Sequence, residues 1–147
     1  MRVLIQRVLS ASVRLIKENK KKDESFIGKG LLLFVGIGKE DNKDNASLLA
    51  DKIFKLRIFE NKGKFDLSLA DIEGEVLAIP QFTLYGNTRK GRRPEFTAAE
   101  RPKRAENLFD FFCEQMSFFV PCKKGFFGEK MEVELINDGP VTLMVEK

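Results

Sequence analysis

Between the glycines of GKGLLLFVGIG, residues 28–38, five apolar residues follow one another from Leu31 to Val35 without a polar interruption. A strand with one wet face alternates apolar and polar residues, so an unbroken short run bounded by glycines predicts a strand buried on both faces. It belongs at the centre of a sheet, and the flanking segments are read as what surrounds it. Upstream, RVLIQRVLSASVRLIKE reads as two β-branched strands about a turn near Ser10, because Val13 and Leu15 alternate with Ser12 and Arg14. NKKKD at 19–23 is read as the solvated tip of that hairpin, in preference to an RNA contact.

Downstream, Ala46, Leu49, Ile53 and Leu56 recur at helical intervals and predict a helix over about 44–56. After a turn at ENKGK, the segment EVLAIPQFTLY at 75–85 reads as a strand with Pro80 inside it. Proline donates no ladder hydrogen bond, so Pro80 requires an edge, a bulge or a strand end. A second helix is expected after Thr97, with Thr97 and Glu100 as a capping box or Pro102 at the first helical position, running to about Phe118. Its stripe of Ala105, Leu108, Phe109, Phe112 and Met116 is a core face. EKMEVELI and PVTLMVE close the chain as two strands separated by NDG. The expected fold is a mixed α/β single domain over residues 1–147, mostly antiparallel sheet in barrel-like layers with two main helices.

Composition narrows the chemistry. The chain of 147 residues, 43% hydrophobic and 33% charged, is that of a globular protein with no stretch long enough for a membrane helix and no signal-peptide pattern at its start, so a cytoplasmic setting is expected. Cys113 and Cys122 lack a C-x-x-C spacing and signal neither a disulfide framework nor a thiolate metal site. There is no histidine, which removes the commonest general base and every triad built on imidazole. The net charge of +4 matters only where it is concentrated, and Arg89, Lys90, Arg92 and Arg93 concentrate it in one loop directly after the Pro80 segment. Arginine forks match phosphate oxygens, so RNA or DNA is the partner this cluster predicts, against the alternative of a merely solvated loop.

Two further segments bear on chemistry. In PQFTLY, Thr83 offers a hydroxyl that no visible base would activate, Gln81 offers an amide that hydrogen-bonds but cannot act as a base, and unpaired backbone N–H groups could serve as an oxyanion hole. In NDGPVT, residues 137–142, Gly139-Pro140 is read as a turn; a cis bond there would aim two neighbouring carbonyls the same way.

Taken in order, QRVLSASV, KIFKLRIF, LAIPQFTLYGNTRKGRRPEF and GFFGEKMEVELINDGPVTLMVE resemble the D-aminoacyl-tRNA deacylase family over nearly the whole chain. The resemblance implies a cytoplasmic homodimer with its site at the subunit interface, hydrolysing the ester between a D-amino acid, or glycine, and the terminal ribose of tRNA, with no cofactor or metal. It implies that Gln81, Phe82 and Thr83 line the pocket. It also implies that Gly139 and Pro140 form a cis Gly-Pro element contributed by the partner subunit, against which an L side chain would clash. Arg7 and Met131 fall in segments that shape the same pocket, and the 89–93 cations would hold the tRNA backbone. The family's route uses the ribose 2′-hydroxyl with protein N–H groups on the oxyanion, and Thr83 as nucleophile is the alternative. The chain departs from the family at Pro80, where serine is usual; proline there is characteristic of a sister group that removes L-alanine from tRNA, whereas Phe82 and NDGPVT are of the D-specific type. The rival readings are an L-alanyl-tRNA deacylase of that sister type, an RNA-binding module without catalysis, and a structural dimer.

Overall fold

The computed structural model describes residues 1–17 and 20–147. The described residues form eight strands, two α-helices and one 3₁₀ helix. Strand β1 (Arg2–Lys17) is the hub. Along one edge it pairs antiparallel with β3 (Gly30–Gly36), from Arg2 opposite Gly36 to Val8 opposite Gly30, and then with β2 (Lys20–Ile27), from Ala11 opposite Ile27 to Lys17 opposite Lys20. Its other edge carries β8 (Met131–Glu146) along almost its whole length.

The unbroken apolar run is β3, and it lies inside the sheet as expected, between β1 and β6 (Glu75–Pro80). Leu31, Leu32 and Leu33 are all fully buried, each contributing about 1.5–3 kcal/mol relative to an exposed side chain. Alternation sends Leu31, Leu33 and Val35 to the layer holding the helices, and Leu32 with Phe34 to a second core inside the curved sheet beside Val8, Val13, Leu77 and Ile79. Two cores explain why the run tolerates no polar residue. Strands β3 and β6 run parallel, as do β6 and β7 (Cys122–Lys124), so the sheet is mixed. Its two edges approach without a ladder between them: Lys123 Nζ donates to the Phe26 carbonyl at 2.5 Å and Ser25 Oγ to the Lys124 carbonyl at 3.5 Å. The result is a nearly closed, barrel-like sheet.

Helix α1 (Lys43–Lys55) starts at Asn42, whose side chain accepts from Asn45 N–H at 3.0 Å, and buries Ala46, Leu49, Ala50 and Ile53. Helix α2 (Pro102–Ser117) buries the anticipated stripe together with Cys113. Of the two starts read from the sequence, Pro102 at the first helical position is the one adopted. The capping box does not form, because Thr97 Oγ1 donates to Glu95 at 2.8 Å and Glu100 pairs with Arg104. Between α1 and β6 lies a hairpin that patterning did not reveal, β4 (Phe59–Asn61) and β5 (Lys64–Leu67), turned at Lys62-Gly63 with both residues at positive φ.

Three readings are corrected. There is no turn near Ser10: β1 is continuous, and the break in its alternation is a bulge in its pairing with β8, where Leu9 is the extra residue between Val8 opposite Asn137 and Ser10 opposite Ile136. The bulge moves the inward positions from even (Val8) to odd (Ala11, Val13) residues. Nor does NDG separate two strands. Strand β8 runs through it, with residues 138–141 looped out opposite Arg7, between Asn137 opposite Val8 and Thr142 opposite Gln6. Finally, β6 ends at Pro80, and Phe82–Tyr85 form the 3₁₀ helix instead of extending the strand. Of the NKKKD tip, Asn19 lies outside the described residues, while Lys20 already belongs to β2.

Candidate active site

Strand β6 ends where its parallel partner does. Pro80 lies opposite Val35, Gln81 N–H still donates to the Val35 carbonyl at 2.8 Å, and β3 stops one residue later at Gly36. With no ladder left, the chain folds into the 3₁₀ helix. Pro80 therefore sits at a strand end, one of the three places its missing donor allows. A cavity of about 510 Å³ opens at this corner, lined by Pro80, Gln81 and Phe82 on one side and by Phe96, Arg101 and Phe127 among the residues facing them. The Phe82 ring is 59% exposed and meets Phe96 edge to face, with centroids 5.1 Å apart.

The first N–H groups of a helix have no partner inside it. Here those of Phe82 and Thr83 donate to no acceptor among the described residues, whereas Leu84 and Gly86 N–H groups bond the carbonyls of Gln81 and Thr83. Two backbone donors, one on the cavity-lining Phe82 and one on the residue after it, thus have no partner among the described residues. The Thr83 hydroxyl receives a hydrogen bond from Gln81 Nε2, an amide that cannot remove a proton. Among the described residues, no hydrogen bond joins the Thr83 hydroxyl to a base.

The turn is anchored from behind. Arg2 Nη1 donates to the Leu84 carbonyl at 3.0 Å while its guanidinium stacks on the Tyr85 ring, and the Tyr85 hydroxyl donates to Asp41 at 3.3 Å. Burial first, and the Asp41 carboxylate second, push the Tyr85 phenol above its ordinary range, so it remains a neutral donor. The buried Asp41 carboxylate also pairs with the Met1 amine.

The cationic loop leaves this turn and returns to the cavity. An antiparallel bridge between Asn87 and Glu95, with N···O distances of 2.7 and 3.0 Å, closes it, and Gly91 turns its tip at φ 72°. Arg89, Lys90, Arg92 and Arg93 are all exposed and form no ion pair among the described residues, and the next residue after the bridge is Phe96, in the cavity wall.

The loop-out at 138–141 is built differently. Arg7, only 3% exposed, donates from Nε to the Asp138 carbonyl at 2.8 Å, from Nη1 to the Ile58 carbonyl at 2.7 Å and from Nη2 to Glu60 at 3.1 Å. The Asn137 side chain closes the loop, accepting from Val141 N–H at 2.9 Å and donating to the Val141 carbonyl at 3.2 Å. Inside it, the Gly139-Pro140 bond is cis, Gly139 has φ 147°, and both residues are exposed. A Cβ on Gly139 would lie 2.6 Å from Val141 N, so only glycine fits.

The structure brings Pro80, Gln81 and Phe82 to one cavity, with Thr83 on the turn beside it. Within the single chain, Arg7, Met131, Gly139, Pro140 and the four cations do not line that cavity. Met131 is half-buried against the inner core, its Sδ accepting from Phe126 N–H at 3.2 Å. Sequence reading missed Phe96, Arg101 and Phe127. An aromatic residue stranded immediately after a charged loop was the available signal for Phe96. Among the described residues no helix is long and apolar enough to cross a membrane.

Comparison with known proteins agrees with this architecture. A solved structure described as a c-Myc DNA unwinding element binding protein is 36% identical and superposes with a TM-score of 0.89, covering 100% of this chain and 99% of the other. A second, described as a probable eukaryotic D-amino acid tRNA deacylase, is 17% identical with a TM-score of 0.85, covering 99% and 98%, and shares the fold. The family model for D-Tyr-tRNA(Tyr) deacylase matches residues 4–146, from the third residue of β1 through the last of β8 and across both the Pro80 turn and the Gly139 loop. The chain therefore belongs to the D-Tyr-tRNA(Tyr) deacylase family, hydrolases acting on the ester bonds of aminoacyl-tRNA.

Proposed function

We propose that the chain is a chiral proofreading enzyme that releases D-amino acids, and glycine mischarged on tRNA(Ala), from tRNA, with the Gln81–Thr83 turn as its chemical centre. The observation that carries this reading is the pair of N–H groups on Phe82 and Thr83 with no partner among the described residues, beside a cavity whose one lining carboxylate, Glu100, is paired with Arg104. An aminoacyl ester is already activated, so positioning and two preorganised donors for the developing oxyanion supply most of what hydrolysis needs. The 2′-hydroxyl next to the ester on the terminal ribose assists the attacking water, and Thr83 serves through its backbone. Thr83→Val therefore keeps the reaction within about tenfold of the parent kcat, whereas loss of a nucleophile would cost several orders of magnitude.

Selection against L side chains is assigned to Gly139 and Pro140 of a partner subunit, acting as a wall that penalises the wrong hand. Supporting a homodimer, β8 is paired on one edge only among the described residues, and Leu9, Ile136, Leu143 and Met144, all on β1 or β8, are exposed. Arg89, Lys90, Arg92 and Arg93 hold the tRNA backbone without reading bases. A cytoplasmic setting accompanies that substrate.

The test is deacylation of one tRNA charged with D-tyrosine or L-tyrosine, with glycyl- and L-alanyl-tRNA alongside. Release of D-tyrosine and glycine with L-tyrosine intact is the expected outcome; release of L-alanine alone would assign the enzyme to the sister type that Pro80 resembles. A second reading, nucleic-acid binding without turnover, rests on the cations that form no ion pair among the described residues, and the 36% identical DNA unwinding element binding protein makes DNA its alternative ligand. It requires binding with no deacylation at any enzyme concentration. In either case, each phosphate-contacting cation replaced by alanine should lower the salt dependence of binding by about one unit of slope.

A further inference from the structure

Cys113 and Cys122 take no part in the site above. Cys113 lies in the last turns of α2, Cys122 opens β7, and both line an open cleft of about 480 Å³ together with Asp110, Glu114, Ser117 and Lys124. This cleft shares no lining residue with the Gln81 cavity. Cys113 is buried at 6% exposure, and Cys122 is half-buried. Ser117 Oγ donates to the Cys113 carbonyl at 2.8 Å, and Lys124 Nζ sits at the same cleft, 2.5 Å from Asp110.

Two thiols on one cleft do not share one character. The contact with Cys122, then burial, raises Cys113 well above the ordinary thiol range. The contact with Cys113 lowers Cys122 against the opposing effect of burial, with the Ser117 hydroxyl and the Lys124 ammonium adding to the lowering. An accessible thiol beside a second thiol that can attack its sulfenic acid is the arrangement in which oxidation proceeds to a disulfide instead of overoxidising.

We propose that Cys113 and Cys122 form a reversible oxidation site for small hydroperoxides. The Cys122 thiolate attacks the peroxide oxygen and breaks the O–O bond, giving a sulfenic acid and, with one proton taken up, water or the corresponding alcohol. The Cys113 sulfur then attacks the Cys122 sulfur and expels the hydroxyl, which leaves as water with the Cys113 proton. Both electrons lost by the thiol pair reside in the reduced peroxide, and an external dithiol restores the starting state.

The experiment treats the reduced full-length protein with stoichiometric hydrogen peroxide and maps peptides by mass spectrometry without reductant. The expected product is an intramolecular Cys113 to Cys122 link, with loss of two hydrogens, that dithiothreitol reverses. In Cys113→Ser, Cys122 stops as a sulfenic acid that dimedone traps; in Cys122→Ser, Cys113 stays reduced at the same dose. Because Cys113 is buried and its variant risks misfolding, alkylation rates in the unaltered protein give an independent reading, with Cys122 at least about tenfold faster than Cys113. Links only between molecules, sulfinic acid as the main product, or a Cys122 no faster than Cys113 would each overturn the proposal.

Discussion

The Gln81–Tyr85 turn and the 138–141 loop both present rigid backbone, but they are held in different ways. Several independent contacts hold the turn: Gln81 N–H on β3, Arg2 on the Leu84 carbonyl, and Tyr85 on Asp41. The loop depends on one buried guanidinium that binds it to the β4–β5 hairpin, helped by Asn137. Distributed anchoring tolerates the loss of any one contact, whereas a hub does not.

Arg7→Ala should therefore have the largest effect, a loss of about 3 kcal/mol in urea denaturation, since it strands the Asp138 and Ile58 carbonyls in one step. If Arg7→Ala unfolded no more easily than a change in the turn, the hub description would fail. Gly139→Ala should come next. The added methyl meets Val141 N at 2.6 Å at a φ of 147°, a strain of about 1–3 kcal/mol, and the distorted loop should discriminate less between D- and L-tyrosyl-tRNA.

Tyr85→Phe should be the mildest, about 1 kcal/mol for one long hydrogen bond among several anchors. It also has a pH signature. The folded-state phenol is shifted upward, so its stabilising contribution is complete below the ordinary tyrosine value of about 10 and is lost as pH rises toward the folded value. Denaturation midpoints compared on the alkaline side should decline in the parent and be flatter in Tyr85→Phe.

The same contrast explains what was legible in the sequence. Strand β3 and the two helices follow from local patterning, because burial on both faces and a helical stripe leave marks within a few residues, while the missing N–H of Pro80 marked a constraint without choosing the strand end over an edge or a bulge. The breaks at Leu9 and at 138–141 also left marks, a slip in alternation and an NDG signal, but each was read as a chain reversal. What decides between a turn and a bulge is whether a neighbouring strand continues alongside, and β1 and β8 supply that for each other from opposite ends of the chain. Likewise, nothing in QFTLY announces that β3 has run out. Glu60, which fixes Arg7, and Phe127, which completes the cavity, lie far from their partners in sequence and carry no periodic signal.

The position of β1 also has a consequence in time. Its partners on one edge, β2 and β3, are made early, but the partner for the other edge, residues 131–146, is made only after every other described strand. During synthesis β1 exposes an unpaired edge beside apolar residues, the kind of surface that recruits foreign strands. Contacts of such long sequence separation also slow folding, since the loop between them must close before they contribute. The edge of β1 stays open to such strands until β8 arrives.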